Sequence, residues 1–362
     1  MQFARLEREG VTVGRVSAVP PPGFVQANAW FIACTSAELR SEPRAVTIQS
    51  KPLVLFRARG GAPTALLDRC PHRNVPLSMG RVRSGEIECA YHGWRFDGAG
   101  QCVAVPGLVG PEVSLKSRCA EHYATREVDG FVWVYSTPSF EAPQEGPFRF
   151  PHLDDAAYST VRREFAVEAS LHAAIENTLD VPHTAYLHGG LFRTAEKKNL
   201  IQVVVKRHEH SAEAHFHGEP APRGLVGWLL APQGGVVEHV DRFLLPCVAQ
   251  VEYRLGAKSH VVATTAFTPV DDEHCRVFAV VTYRLPVPGW LVRPFVAPVA
   301  TRIFAQDAVM LARQRAQIRR FGGEKYTSTE LDVLGPQVTR LIKQAASGEP
   351  GEAHEHRLRM KT

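Results

Sequence analysis

The chain has 362 residues, which is too long for one small domain of about a hundred residues and predicts two domains. Hydrophobic residues make up 44% and charged residues 22%, as is typical of soluble globular proteins. The net charge of +5 is small for this length and no stretch is densely basic, so we expect no nucleic-acid partner.

The cysteine pattern and the apolar stretches predict a cytoplasmic protein. There are seven cysteines, and those outside the two loops described below show no paired spacing, which is typical of free thiols in a reducing compartment. The start of the chain, MQFARLEREG, has acidic residues and no apolar core, unlike a secretory signal. We expect no transmembrane segment. The nearest candidate, residues 286–305, is interrupted by Arg293, Arg302 and several prolines, which favours a core or interface segment over a lipid contact.

Short strands separated by turns are predicted for the first part of the chain. The runs AVTIQSKPLVLFRARG, APTALLDRC and DGFVWVYS alternate in polarity or are rich in β-branched residues, and Gly, Pro or Asp bound them. They predict an all-β domain over residues 1–140, with an N-terminal extension and a core at residues 28–136. The proline-rich segment 136–151 is predicted to be a linker.

Two mixed Cys–His loops in this domain predict an iron–sulfur cluster. Cys70 and His72 lie in CPHR, and Cys89 and His92 lie in CAYHGW. Two thiolates on one iron and two imidazoles on the other can hold a [2Fe–2S] cluster that is easier to reduce than an all-cysteine one. Structural zinc is the alternative, although zinc fingers usually place both cysteines in one loop and both histidines in the other. Trp94 is expected to shield the cluster.

The second part, residues 141–345, is predicted to form a large antiparallel sheet with helices. A helical segment from Ser170 is interrupted at Pro182, and six long strand-like runs follow. Residues 300–321 form an amphipathic helical pattern, and a shorter helix is predicted near Pro336. This is an α+β arrangement. Residues 346–362 are expected to be a solvated tail.

The segment ENTLDVPHTAYLHGG predicts a second metal site. His183 and His188 stand near the helix end at Pro182 and can converge on one cation. Two imidazoles and one carboxylate on one face of an iron(II) ion leave positions open for dioxygen and substrate. Among the other histidines, His172 and His239 are expected near the interior and His260 at the surface, all without a role.

Both motifs resemble those of the Rieske non-haem iron oxygenases. CPHRNVPLSMG and IECAYHGWRFDGAG resemble the Rieske domain, in the branch without a disulfide between the two cluster loops. The spacing Asn-x-x-Asp-x-x-His-x-x-x-x-His resembles the catalytic motif of the same family. The resemblance implies a helix-grip catalytic domain, a sheet packed on a long C-terminal helix. It also implies a homotrimer in which the cluster of one subunit serves the iron of the next.

The resemblance also implies roles for single residues. His183 and His188 become iron ligands, and the third ligand is Asp307 in RIFAQDAVMLARQ, with Asp332 and Glu176 as less well-placed rivals.

The resemblance implies roles for two more residues of the catalytic motif. Asp180 is implied to link His183 to a cluster histidine of the neighbouring subunit. Asn177 is implied to support the iron site from nearby.

The implied function is that of a terminal oxygenase component. It would use dioxygen and electrons from a separate reductase, or from a ferredoxin, to hydroxylate, demethylate or otherwise oxidise an apolar aromatic or alicyclic substrate. No dinucleotide-binding motif is present, so NAD(P)H is expected to act only through the reductase. FAQDAVMLARQ resembles O-demethylases and monooxygenases more than dioxygenases. The alternative is an electron-transfer protein whose second domain is not catalytic. Candidates for the substrate pocket are the apolar residues Leu230, Phe243, Phe267 and Phe304.

Overall fold

The structure is a computed structural model that describes residues 27–109, 117–139, 141, 143–189, 199–220, 237–256 and 258–361. The predicted N-terminal extension up to residue 26 and Leu230 lie outside these residues.

The first domain is all-β, which confirms that part of the fold prediction. Its larger sheet is antiparallel, in the order β1-β10-β9-β4-β3-β2, and consists of β1 (Trp30–Thr35), β2 (Arg44–Ile48), β3 (Lys51–Arg57), β4 (Pro63–Leu67), β9 (His122–Val128) and β10 (Phe131–Pro138). Its smaller sheet consists of β5 (Arg81–Arg83), β6 (Glu86–Glu88), β7 (Arg95–Phe96) and β8 (Cys102–Ala104). One Cys–His loop follows β4 and the other connects β6 to β7, so the two sheets hold the loops side by side.

Within the described residues, the second domain consists of an eight-stranded antiparallel sheet and three helices, as the α+β prediction requires. Its strand order is β11-β17-β16-β15-β14-β13-β12-β18. The strands are β11 (Ser159–Val167), β12 (Leu200–Arg207), β13 (Ser211–His217), β14 (Val237–Leu244), β15 (Val248–Leu255), β16 (Ser259–Pro269), β17 (Cys275–Arg284) and β18 (His354–Lys361). The helices are α1 (Leu171–Leu179), α2 (Gly289–Arg320) and α3 (Gly335–Ser347).

Strands of this sheet have one buried face and one more exposed face because their side chains alternate. In β14, the residues Val237, His239, Asp241 and Phe243 are all buried, and the residues between them are more exposed. Successive side chains of a strand point to opposite faces, so these four share one face. Strand β14 contacts α1, and Val237 at the start of the strand lines the cavity described below.

The C-terminal residues differ from the solvated tail that the sequence predicts after residue 345. Strand β18 pairs antiparallel with β12 from Leu200↔Lys361 to Arg207↔His354. Met360 is buried, whereas the charged Arg357 and Arg359 between the inward positions are exposed. In an edge strand with one solvated face, only every second residue needs to be apolar. Because most residues of this segment are charged or polar, its alternating pattern was not recognised as a strand from the sequence.

Helix α2 begins eleven residues before the amphipathic pattern that predicts it, at Gly289 rather than at residue 300. Pro294 and Pro298 lie inside the helix, and this is why the sequence did not predict its first turns, since proline usually ends or kinks a helix. By length and composition, the stretch Leu291–Arg320 could also cross a membrane. Only 12% of the apolar window in this stretch is buried, although α2 contributes side chains to the cavity and to the candidate metal site.

The two domains share one continuous core. Phe131 of β10 and Phe278 of β17 meet edge to face with ring centres 5.8 Å apart. The hydroxyl of Thr268 donates to the carbonyl of Ile32 at 2.7 Å in a buried position. The backbone N–H of Gln49 donates to the carbonyl of Pro269 at 2.7 Å. Because these contacts are buried, the orientation of the two domains is fixed by packing.

Truncating Phe278 to alanine is expected to destabilise the protein by about 3–5 kcal/mol, because the ring is fully buried at this domain junction. The matched control is Phe321→Ala, which removes a ring that is 72% exposed at the end of α2 and should cost less than about 0.5 kcal/mol. Chemical denaturation measures both. Equal, small effects would mean that the junction is not a packed core.

Candidate metal centres and substrate cavity

The two Cys–His loops have the same backbone hydrogen bonds. The N–H of Asn74 donates to the carbonyl of Cys70 at 2.9 Å, and the N–H of Gly93 donates to that of Cys89 at 3.0 Å. Asn74 and Gly93, each four residues after its cysteine, both have positive φ, at 60° and 68°. This conformation suits glycine and is tolerated by asparagine. It turns each loop back, so that cysteine and histidine face the same side.

The four side chains of these loops fit a [2Fe–2S] cluster. The rings of His72 and His92 have centres 4.5 Å apart, and Cys70 and Cys89 are buried together in a core to which both sheets contribute. The Nδ1 atom of His72 is buried without a hydrogen-bond partner, as a metal-binding nitrogen would be. Burial, His92 and Arg73 lower the pKa of His72, which favours the neutral imidazole that binds metals.

The surroundings of this site also fit a cluster. Burial raises the pKa of the Cys70 thiol to about 11, with the adjacent Cys89 adding to the shift, so a metal would be needed to hold the Cys70 sulfur as a thiolate. Trp94 stacks on His72 with ring centres 4.7 Å apart and planes 3° from parallel. The indole therefore covers one face of a candidate ligand, in the position that shielding requires.

A second group of candidate ligands forms where α1 ends and α2 passes over it. The Nε2 atom of His188 lies 3.1 Å from Oδ1 of Asp307, and Nε2 of His183 lies 3.5 Å from the same oxygen. The two Nε2 atoms are 3.3 Å apart. His183 is in a short 3₁₀ turn, Pro182–Ala185, after α1, whereas Asp307 comes from α2, more than a hundred residues later.

Hydrogen bonds on the far side of each ring leave Nε2 available for a metal. The Nδ1–H of His183 donates to the backbone carbonyl of Asp180, whose carboxylate oxygen Oδ2 lies 3.5 Å from the same nitrogen. The Nδ1–H of His188 donates to Oε1 of Gln306 at 3.0 Å. A neutral imidazole has one N–H, so these bonds fix the tautomer that exposes Nε2 as a lone-pair donor. Gln306 was not predicted from the sequence, where its position beside Asp307 is the only signal.

The charge at this site also fits a divalent cation. Oδ1 of Asp307 is buried without a hydrogen-bond partner. Burial opposes a positive charge on His183, but Asp180 and Asp307 outweigh it and raise the pKa of His183 to about 9. The two carboxylates thus stabilise positive charge at this point. The same negative charges would stabilise a bound metal cation.

The rival carboxylates are placed elsewhere. Oδ2 of Asp332 accepts the N–H of Thr329 at 2.6 Å and closes a local turn. The carboxylate of Glu176 packs against Gly335 at the start of α3, in the space that a larger side chain there would need. Burial raises the pKa of Glu176. Neither belongs to the group formed by His183, His188 and Asp307.

A cavity of about 440 Å³ adjoins this group, within the usual size range of small-molecule sites. Apolar side chains from β11, β15, β16, β17 and α2 form most of its wall, and His183, His188 and Asp307 are part of it. Asn177 also lines this cavity, and its support of the iron site stays a prediction.

The other pocket and histidine predictions were partly right. Phe267 and Phe304 line the cavity, whereas Phe243 is buried in the core away from it. His172 and His239 are buried as expected. The prediction for His260 is wrong. His260 is 3% exposed, because it lies between the hydroxyl of Tyr158 at 2.5 Å and the carboxylate of Glu252 at 2.9 Å.

Two family models match this chain. Residues 29–119 match the Rieske [2Fe-2S] domain, and residues 167–348 match the vanillate O-demethylase oxygenase C-terminal domain. The first match contains both Cys–His loops, and the second contains His183, His188 and Asp307.

Curated relatives and solved structures agree with these matches. The chain is 37% identical to the oxygenase component of dicamba O-demethylase from Stenotrophomonas maltophilia, over 49% of this chain and 52% of the relative. It is 25% identical to the vanillate O-demethylase oxygenase subunit of a Pseudomonas species, over 89% and 95% of the two chains. The crystal structure of dicamba monooxygenase bound to dicamba superposes with a TM-score of 0.73 at 25% identity, over 90% and 98% of the chains.

The matches do not all extend over whole proteins. The chain spans about half the length of the first curated relatives it matches, 50% of the chloroplastic protein TIC 55 of Arabidopsis thaliana and 52% of the dicamba enzyme component. The two domain matches follow one another along this chain in the same order as its two metal motifs. The chain therefore belongs to the Rieske non-haem iron oxygenase family.

Proposed function

We propose that this protein is the terminal oxygenase component of a monooxygenase system that oxidises an apolar aromatic or alicyclic substrate. The observation that carries the proposal is the convergence of His183 Nε2, His188 Nε2 and Asp307 Oδ1 in the wall of a largely apolar cavity. Two imidazoles and one carboxylate are the ligand set of iron(II) centres that react with dioxygen.

The geometry above supports the following proposed ligands for each centre. Cys70 and Cys89 would hold one iron of the [2Fe–2S] cluster, and His72 and His92 the other. His183, His188 and Asp307 would hold the mononuclear iron(II). When bound, the cluster supplies single electrons and the ferrous ion supplies the site at which dioxygen is activated.

The chain's own side chains would position these groups and exclude water. The carbonyl of Asp180 and the amide of Gln306 accept hydrogen bonds from the two histidine rings and would hold them in an orientation that binds metal. The apolar cavity wall keeps water from the reacting centre and leaves room for a ring-sized substrate. Hydroxylation and demethylation both need this arrangement.

Asp180 is the proposed link between the two kinds of centre. Its side chain is 33% exposed, so its carboxylate can contact His183 and a second group at the protein surface. In a homotrimer, that group would be a cluster histidine of the neighbouring subunit. A carboxylate between two imidazoles fixes both rings and offers a short route for electron transfer.

The proposed partners are a reductase, with or without a ferredoxin, and NAD(P)H acting through it, and the proposed location is the cytoplasm. Oxygen uptake tests the function. The purified protein, a surrogate reductase, NADH and a panel of apolar aromatic and alicyclic compounds should give uptake that depends on one or more compounds and yields oxidised product. Reduction of the cluster without any substrate-dependent uptake would favour the electron-transfer alternative.

Replacing Gln306 with leucine is expected to weaken iron binding at the mononuclear site about 10–100-fold, the usual cost of losing an outer hydrogen-bond partner of a ligand. Without the amide, nothing in the described contacts fixes the His188 tautomer. The matched control is Gln314→Leu, an exposed glutamine on the same helix. Iron retention during titration with a chelator measures the effect. Equal retention in both variants would mean that Gln306 does not support the site.

A further inference from the structure

One buried hydroxyl in the cavity wall is not used by the protein itself. Thr265 of β16 is only 4% exposed and lines the cavity. Within the described part of the chain, its hydroxyl has no hydrogen-bond partner. Buried polar groups are almost always hydrogen-bonded, so this hydroxyl is a candidate to bind a molecule inside the cavity.

Other hydroxyls of the same wall already have partners. Their bonds run from Thr178 to the carbonyl of Ala174 at 3.1 Å, from Thr184 to the carbonyl of Val181 at 2.7 Å, from Tyr283 to the carbonyl of Gly289 at 3.2 Å, and from the amide of Gln250 to Thr264 at 3.1 Å. Thr265 follows Thr264 on β16, but neighbouring residues of a strand point to opposite faces of the sheet. The amide that serves Thr264 therefore does not serve Thr265.

Small residues surround Thr265 on its own face of the sheet. Its cross-strand neighbours are Ala249 on β15 and Ala279 on β17. Directly paired residues share a face, with Cβ atoms about 5 Å apart, and alanine has no atom beyond Cβ that could cover the threonine. Ala279 and Ala263, two residues before Thr265, also line the cavity. The threonine thus lies in a recess that a ring-shaped molecule can enter.

The charges around the cavity favour a neutral molecule at this recess. Among the wall residues that the structure describes, none is a lysine or an arginine. The carboxylates of the wall are engaged elsewhere: Oδ1 of Asp307 lies 3.1 Å from Nε2 of His188, and Oε2 of Glu219 lies 3.1 Å from Nδ1 of His239. A single neutral hydroxyl stabilises a buried charge too weakly to offset the hydration that the charge loses.

We infer that the Thr265 hydroxyl is a specificity determinant of the substrate site, and that it selects an apolar ring compound with one neutral hydrogen-bonding group, such as a phenol hydroxyl or a ketone. A threonine hydroxyl both donates and accepts, so it can pair with either group. The inference rests on the proposed function, because the substrate is taken to bind in the cavity beside the candidate iron ligands. A ring compound without a polar group would leave the Thr265 hydroxyl unpaired, which costs binding free energy.

The binding of naphthalene, 1-naphthol and 2-naphthol to the metal-loaded protein tests the inference without a reductase. The three probes share one ring system, and the two naphthols place the hydroxyl at different positions. Equilibrium dialysis measures the dissociation constants. At least one naphthol should bind as tightly as naphthalene or more tightly, because a hydroxyl that is buried without a partner weakens binding. Weaker binding of both naphthols, or no binding of any probe, would overturn the inference with the unaltered protein alone.

The variant Thr265→Val tests the residue itself, because valine keeps the branched shape and removes the hydroxyl. The preference is the dissociation constant of naphthalene divided by that of the tighter-binding naphthol. In Thr265→Val it should fall about fivefold or more, since the naphthol hydroxyl would then be buried unpaired. The variant Thr265→Ser keeps the hydroxyl and should keep the preference.

The matched control is Thr282→Val on β17. Thr282 is 1% exposed and its hydroxyl has no hydrogen-bond partner either, but it is not among the described residues of the cavity wall. Its substitution should leave the preference unchanged. An unchanged preference in a folded Thr265→Val protein, or an equal fall in Thr282→Val, would remove Thr265 from the substrate site.

The two proposals fail separately. The binding series needs no electrons and no turnover, so a protein whose naphthol preference depends on Thr265 but which shows no substrate-dependent oxygen uptake contradicts only the proposed function. A protein that consumes oxygen with a substrate but has the same preference in Thr265→Val contradicts only the role of Thr265.

Discussion

An Asp307→Ala variant is expected to lose its mononuclear iron and to oxidise substrate at least about 100-fold more slowly, while its cluster spectrum stays intact. Removing the carboxylate leaves two imidazoles without the anion that balances the cation, and a direct ligand should matter more than the outer partners whose loss costs 10–100-fold. The cluster is spared because its proposed ligands, such as Cys70 and His92, lie in the other domain.

Iron analysis with visible spectroscopy measures this effect directly. The Asp307→Ala variant should contain about one iron atom per chain fewer than the unaltered protein. The content of acid-labile sulfide should be the same in both. The control is Asp332→Ala, which removes the rival carboxylate and should leave the iron content and turnover unchanged. If instead Asp307→Ala kept its iron and its turnover, Asp307 would not be a ligand.

An Asp180→Asn variant is expected to slow electron transfer to the mononuclear iron about 10–100-fold while both metal sites remain filled. His183 donates to the backbone carbonyl of Asp180, which the substitution keeps, so the ring should retain its orientation. The change removes only the charged oxygen next to His183 Nδ1, and a neutral amide cannot accept hydrogen bonds from two imidazoles with the same strength.

Single-turnover kinetics separate this effect from iron loss. The reduced protein is mixed with dioxygen and substrate, and the reoxidation of the cluster is followed by absorbance. The control is Asp154→Asn, which alters a carboxylate that is 91% exposed. A normal rate of reoxidation in the Asp180→Asn protein, with both sites filled, would refute the proposed bridge.

Local sequence patterns predicted those parts of the fold that depend on local structure. Period-two alternation located the long strands of the catalytic sheet, and the apolar stripe of Val338, Leu341 and Ile342 located α3. The candidate metal motifs could be read from the sequence because each places its candidate ligands within a few residues, as in Cys70–His72 and His183–His188.

The features that the sequence did not predict depend on contacts between distant segments. Strand β18 is stable only because β12 pairs with it, and the first turns of α2 form despite two prolines. Gln306 gains its role from His188, more than a hundred residues earlier. Asp241 lies two residues from His239 on the same face of β14, but Glu219 is identified as a second partner only once β13 and β14 lie side by side.

The metal content of anaerobically purified protein shows whether one chain holds both kinds of iron centre. Two kinds of iron centre in one chain predict about three iron atoms and two acid-labile sulfide ions per chain, with the visible absorbance of a cluster that has mixed cysteine and histidine ligands. A colourless protein that contains zinc and no sulfide would contradict the account.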